Sequence, residues 1–196
     1  MAVSTQRSRT STRRRDAILD ATLAAAATGG YEAVQMREVA KQVGVAVGTL
    51  YRYFPSKTHL LVSALTREFQ RLDASCDWST IGATPQERLG MLTARLHSDW
   101  QRDPQLTEAM TRACVFADAT AASAVNQAAD EIERLLVKTL GGGDPTDHQR
   151  QIAGLIADVW LANRAAYISK RVTAAEARDQ IDRAVRLLLA GNAVEN

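Results

Sequence analysis

Cysteine, histidine and aromatic residues are all scarce in this chain, and each scarcity removes a class of function. Cys76 and Cys114 stand far apart with no Cys or His at ligand spacing. Neither a disulfide framework nor a structural metal site is therefore expected, and both read as small buried apolar residues. His59, His97 and His148 have no Ser, Cys or paired carboxylate at a spacing that makes a catalytic constellation, and no glycine-rich loop is placed to cradle a phosphate. Each histidine is expected at the surface. No catalytic residue, metal or cofactor is assigned, and the chain does not read as an enzyme. No apolar run reaches membrane-spanning length, and the basic N-terminus, MAVSTQRSRTSTRRRD, lacks the apolar stretch of a signal peptide. A soluble cytoplasmic protein with no membrane partner is expected. Strand-like alternation of useful length is missing as well, which leaves helices.

What is present is helix signal throughout. A first helix is expected from about Thr12 to Thr28, stopped by Gly29-Gly30, after a disordered basic arm over 1–11. A second covers MREVAKQV, a tight turn at Gly44 follows, and a third ends at Phe54 before Pro55. Longer helices begin after Ser56, Thr84, Thr146 and Thr173, the last three carrying Glu or Gln three residues on as capping boxes, with Leu106 to Val115 and Ser123 to Leu140 between. The expected fold class is all-α, about nine helices, in two parts: a small N-terminal helix-turn-helix domain over 12–57 and a larger helical domain over 58–196.

Charge is distributed unevenly between these parts. Residues 1–57 hold nine Lys/Arg against four Asp/Glu, a balance of +5, whereas the remainder holds fifteen against eighteen, or −3. A basic end is how nucleic-acid-binding segments present themselves. That end also contains VAVGTLYRYFPSK. On a helix its Leu50 and Phe54 point inward, leaving Val47, Gly48, Thr49, Tyr51, Arg52 and Tyr53 outward or flanking. Such a surface suits a DNA groove, with hydroxyl and cationic donors for phosphate. Packing of the tyrosine rings on a neighbouring helix is the other reading, and the residues alone leave both open.

The segment GYEAVQMREVAKQVGVAVGTLYRYFPSKTHLLVSAL resembles the DNA-binding domain of the TetR family of bacterial repressors, with Gly44-Val45, Gly48-Thr49-Leu50-Tyr51, Tyr53-Phe54 and Ser56-Lys57 at the family's spacings. The likeness covers Arg15 to about Leu65. It implies that Thr49, Tyr51 and Tyr53 contact the DNA backbone, that Lys57 contacts phosphate, and that Arg37 reaches a base, where arginine can bond guanine bidentately. Val47 and Gly48 fall where the recognition helix comes nearest the bases. Ala46 and Gln35 replace the usual caps of the recognition helix and of the helix before it, each absence costing on the order of 1 kcal/mol.

The same family places a ligand-binding and dimerisation domain after about Ala74. Ile152, Leu155, Ile156 and Val159, then Ile181, Val185 and Leu188, repeat at three- and four-residue intervals, which fits either the protein's own core or a four-helix homodimer interface that would let two reading heads meet a palindromic double-stranded operator. Trp100, Met110, Phe116, Trp160 and Tyr167 are core or pocket residues. The segments LTEAMTRACVFADATAASAV and IADVWLANRAAYISKR are similar to the family's repressors of steroid catabolism in actinobacteria. That likeness implies a steroid-pathway inducer. Arg112 and Arg164, with Lys170 and Arg171, lie near the candidate pocket residues in sequence. They favour a steroid-derived acyl-CoA thioester, whose phosphates they can bind, although Lys170 and Arg171 serve equally well as surface ion-pair partners. Regulators of another lipid pathway or of multidrug efflux are the alternatives.

Overall fold

The computed structural model describes residues 2–141 and 144–190, with side chains from Thr10 onward. Its helices are α1 (Ala2–Ala33), α2 (Met36–Gln42), α3 (Val47–Tyr53), α4 (Lys57–Ala74), α5 (Pro85–Arg102), α6 (Pro104–Val115), α7 (Ala122–Leu140), α8 (Asp147–Ile168) and α9 (Ala174–Ala190), with one 3-10 turn at Ala119–Ala121. The expected all-α class holds among the described residues.

Helix starts follow the caps. Thr84 Oγ1 accepts the Glu87 N–H at 3.2 Å while Glu87 reaches back to the Thr84 N–H, and Thr146 with Gln149 repeats the exchange. Thr173 and Glu176 do the same for α9, and Ser56 Oγ accepts the His59 N–H. The start of α1 departs from expectation. The arm over 1–11 is helical from Ala2 rather than disordered, because neither proline nor glycine interrupts the chain before Gly29 and a helix already nucleated on the alanine-rich stretch propagates cheaply. At Gly29-Gly30 the helix breaks, with Gly30 at φ 66. That backbone conformation is the reason for glycine, and a Cβ there would also stand 2.8 Å from Glu108 Oε2, so the carboxylate would have to move aside.

Residues Met1–Leu65 with Pro104–Val125 form one compact unit, and Thr66–Asp103 with Asn126–Asn196 form a second. The N-terminal unit therefore takes in α6, which the sequence assigned to the larger domain. α6 packs on α1. Glu108 of α6 accepts the Tyr31 N–H at 2.9 Å, and Arg112 of α6 meets Glu32 at 3.1 Å. The core of this unit is built on Ile18, Leu19, Val34, Val39, Leu50, Phe54, Leu60 and Leu61, all at most 2% exposed.

In the second unit α9 packs against α5 and α8. Asp73 receives Arg134 and Lys138 at 2.9 Å each. Burial alone would raise the Asp73 carboxyl, but the hydrogen bonds from Lys138 and Arg134 outweigh it and hold the group below the ordinary carboxylate range. Arg88, 9% exposed, spends its fork on main-chain carbonyls: Nε donates to Thr139 at 2.8 Å, Nη2 to Leu140 at 3.0 Å and Nη1 to Gly82 at 3.2 Å. Two of these carbonyls end α7 and have no partner within the helix.

Candidate nucleic-acid interface and ligand site

α2 and α3 are joined by a turn in which Gly44 takes φ 67, a backbone conformation favoured by glycine. Neither helix has a side-chain cap; Gln35 and Ala46 leave the first amides without one, as their residue types dictate. α3 is held by its inward residues instead. Leu50 is fully buried and Phe54 2% exposed, and Arg15 lies 5.5 Å over the Phe54 ring. The opposite side is bare: Val47, Gly48, Tyr51 and Arg52 are exposed, Thr49 is half-buried, and Arg37 of α2 is exposed. A Cβ added at Gly48 would meet nothing within 4 Å. The protein's own packing therefore does not ask for glycine at that position.

The two tyrosines behave differently. Tyr51 is 47% exposed. Tyr53 is half-buried, with its hydroxyl 3.0 Å from Ser11 Oγ, so it ties α3 to α1. Lys57, at the start of α4, donates to the Tyr31 carbonyl at 3.1 Å. An exposed α3 face bordered by cations is what contact with a nucleic-acid groove requires.

In the second unit Trp100 and Trp160 pack with tilted rings, centroids 5.0 Å apart, Phe69 lies 5.7 Å from Trp160, and the Arg164 guanidinium sits 4.5 Å over Trp160 and 5.2 Å from Trp100. Trp100 and Trp160 are 6% and 5% exposed and Arg164 only 2%. The structure thus brings Trp100, Trp160 and Arg164 together, with half-buried Tyr167 one turn along α8. A cation so deep does not stand where a solvated phosphate would meet it, which departs from the sequence expectation for Arg164. The indole N–H of Trp160 is buried and has no hydrogen-bond partner among the described residues.

Met110, Arg112 and Phe116 belong to the N-terminal unit. Met110 is buried, Phe116 is 75% exposed, and Arg112 is engaged by Glu32 and by Glu108 at 3.5 Å. His97, expected at the surface, is 6% exposed and packs against Trp100 with ring centroids 5.9 Å apart. Burial, and secondarily Arg178, lower its pKa against an opposing pull from Asp182. Its position, three residues before the aromatic Trp100 on the same helix face, was the available signal. Neither cysteine is in a disulfide, and both are half-exposed rather than buried, since neither falls on the inward stripe of its segment.

The apolar stripes divide. Ile152, Ile156, Ile181 and Val185 are 1–4% exposed and line the protein's own core. Leu155 at 51% is exposed, Val159 and Leu188 are half-buried, and Leu187, which the periodicity did not single out, is 69% exposed. Among the described residues no three His, Cys, Asp or Glu side chains gather to hold a metal, and no helix is long and apolar enough to cross a membrane.

Residues 18–64 match the bacterial regulatory protein model of the tetR family, and residues 82–188 match the tetracyclin repressor-like C-terminal domain. The chain is 55% identical to the HTH-type transcriptional repressor KstR of Mycobacterium tuberculosis over 90% of its length and 80% of that protein. It is 51% identical to KstR of Rhodococcus jostii, over 90% and 82%. A TetR transcriptional regulator of solved structure from Rhodococcus sp. RHA1 superposes with a TM-score of 0.82 at 29% identity, covering 91% of this chain and 97% of that one. With an uncovered recognition helix in the segment matched by the N-terminal model and a second match over the C-terminal domain, the chain belongs to the TetR family of bacterial regulatory proteins.

Proposed function

We propose that this protein is a ligand-responsive transcriptional repressor that binds a palindromic operator as a homodimer and is released by a steroid-derived acyl-CoA thioester. The observation that carries the DNA half is the α3 face, where Leu50 and Phe54 turn inward while Val47, Gly48, Tyr51 and Arg52 are left exposed. The relatives at 51–55% identity are named transcriptional repressors. Arg37 is assigned to a base, Thr49, Tyr51, Arg52 and Lys57 to the backbone, and Tyr53 to the backbone through its exposed edge. Leu155, Val159, Leu187 and Leu188 are assigned to the dimer interface, outside the part of the stripe that fills the core.

For the inducer, Trp100, Trp160, Arg164 and Tyr167 form the buried end of the site. Two indoles offer flat apolar surface at about 25 cal/mol per Å² removed from water. The guanidinium and the unpartnered Trp160 N–H supply donors for an oxygen carried on the ring system. Lys170 and Arg171 are exposed two and three residues beyond the end of α8 and are assigned to a diphosphate, with which cations form charge-assisted hydrogen bonds. A planar cationic drug would meet a buried like charge in Arg164, which disfavours the multidrug reading.

Release follows only if the ligand binds the DNA-incompetent state more tightly. The test is titration of the protein on a duplex it selects from a random library, with a steroid acid, its CoA thioester, free CoA and a planar cationic drug. The thioester is expected to release DNA at a concentration at least about tenfold below that of the acid, the ratio expected from roughly 1.4 kcal/mol of added phosphate contact. Equal potency of acid and thioester refutes the cationic part of the site; release by the drug alone replaces the reading. On the same duplex Arg37→Ala should relax preference at one base pair per half-site by about 1–3 kcal/mol. Lys57→Ala should weaken all sequences alike and lower the salt slope by about 0.9 per contact. Loss of only nonspecific affinity in both variants would remove Arg37 from the base.

A further inference from the structure

We infer that Tyr31, Glu108 and Arg112 are positioning residues for Lys57, fixing its ammonium where a DNA phosphate can take it. The inference rests on the DNA-binding reading above. Lys57 Nζ donates to the Tyr31 carbonyl at 3.1 Å, lies 4.0 Å from the centroid of the same ring and stands 3.7 Å from Glu32. A lysine ordinarily samples many rotamers; here one residue, Tyr31, holds the ammonium with both its main chain and its ring. An ammonium has three donors. With one given to the Tyr31 carbonyl, it can accept a phosphate without leaving its seat.

Tyr31 is itself held from α6. Its N–H donates to Glu108 Oε2 at 2.9 Å, immediately after Gly30, whose missing side chain leaves room for that carboxylate. Arg112 covers the same ring at 4.8 Å and pairs with Glu32 at 3.1 Å and Glu108 at 3.5 Å. The cluster balances two cations against two carboxylates. Arg112 shares Glu32 with Lys57, lying 3.1 Å from one carboxylate oxygen while Lys57 lies 3.7 Å from the other, so the carboxylate is divided between two cations and holds Lys57 less tightly against phosphate. α6 also carries Met110 and lies in the part of the chain matched by the C-terminal domain model. The phosphate contact is thus tuned by a helix of the ligand-binding domain's sequence.

Salt dependence reads this directly, because a merely structural residue changes affinity without changing the number of counterions released. The full chain and its Lys57→Ala, Glu108→Gln and doubly substituted forms are titrated on the selected duplex between about 50 and 200 mM salt. Glu108→Gln keeps the side-chain volume while removing the charge. It should lower the slope of log affinity against log salt by about 0.9 per subunit, as Lys57→Ala does, and the double variant should lower it no further than Lys57→Ala alone. A wild-type slope in Glu108→Gln, or additive losses in the double variant, overturns the inference. So does a wild-type slope in Lys57→Ala. Should Glu108→Gln fail to fold by circular dichroism, Tyr31→Leu carries the same comparison and the same outcomes. Selection of no duplex by the wild-type chain would instead refute the DNA-binding reading itself.

Discussion

Leu50→Ala is expected to weaken DNA binding at least about tenfold while changing none of the residues assigned to DNA. α3 has seven residues and no side-chain cap, too few to be helical alone in water. It exists because Leu50, fully buried, and Phe54, 2% exposed, dock it on the unit's core. Truncating a buried leucine to alanine costs about 2–5 kcal/mol, through lost transfer energy and a residual cavity. Against a total stability of about 5–15 kcal/mol, that is a large share, and it falls on the element that must be rigid to read DNA. Chemical denaturation should show the loss. On the selected duplex, affinity should fall at least about tenfold, the equivalent of 1.4 kcal/mol. Val47→Ala, on the exposed side of the same helix, should shift stability by no more than about 0.5 kcal/mol. Wild-type affinity in Leu50→Ala would show that α3 does not read DNA.

The second large effect concerns Arg88. Its guanidinium closes the end of α7 by bonding the Thr139 and Leu140 carbonyls, and holds the loop before α5 through Gly82. Arg88→Ala strands two carbonyls at the negative end of a helix dipole and leaves a cavity where the side chain lay. Leaving a buried acceptor without its donor costs about 1–3 kcal/mol for each group, and two are stranded here together with the cavity. For a unit of this size the melting temperature should drop by roughly 10 °C or more. Arg88→Lys should recover little, since a point charge cannot span three carbonyls in the geometry of a planar fork. A melt of Arg88→Ala within about 2 °C of wild type, well inside the shift that 1 kcal/mol produces, would mean that other groups or water take over these carbonyls.

These two residues also mark the limits of what the sequence made legible. Thr84, Thr146 and Thr173 announced their helices because a capping box is local, three residues long and chemically explicit. The inward placement of Leu50 and Phe54 followed from four-residue spacing for the same reason. Arg88 did not read as interior, because a guanidinium looks like surface until the carbonyls it serves, more than fifty residues away, are brought to it. The packing of α6 on α1 was hidden likewise: the contact from Tyr31 to Glu108 spans 77 positions and involves a main-chain N–H that no side-chain pattern encodes. Periodicity gave the stripes on α8 and α9 but not which part fills the protomer. Ile152 and Leu155 sit three apart in one pattern and end up at 3% and 51% exposure. For the candidate site, the α3 face was legible from its motif, whereas the burial of Arg164 between two tryptophans was not, since only its neighbours in space make that cation interior.

The missing caps on α2 and α3 bear on how affinity is set. A reading helix without side-chain acceptors for its first-turn amides is easier to fray, and to the extent that it does, the observed dissociation constant is the intrinsic one divided by the fraction of time the helix is formed. Fraying of the free helix thus weakens binding to every sequence in equal proportion, leaving discrimination between sequences intact. A repressor built this way keeps a selective reading surface while its occupancy stays within reach of modest changes in inducer concentration.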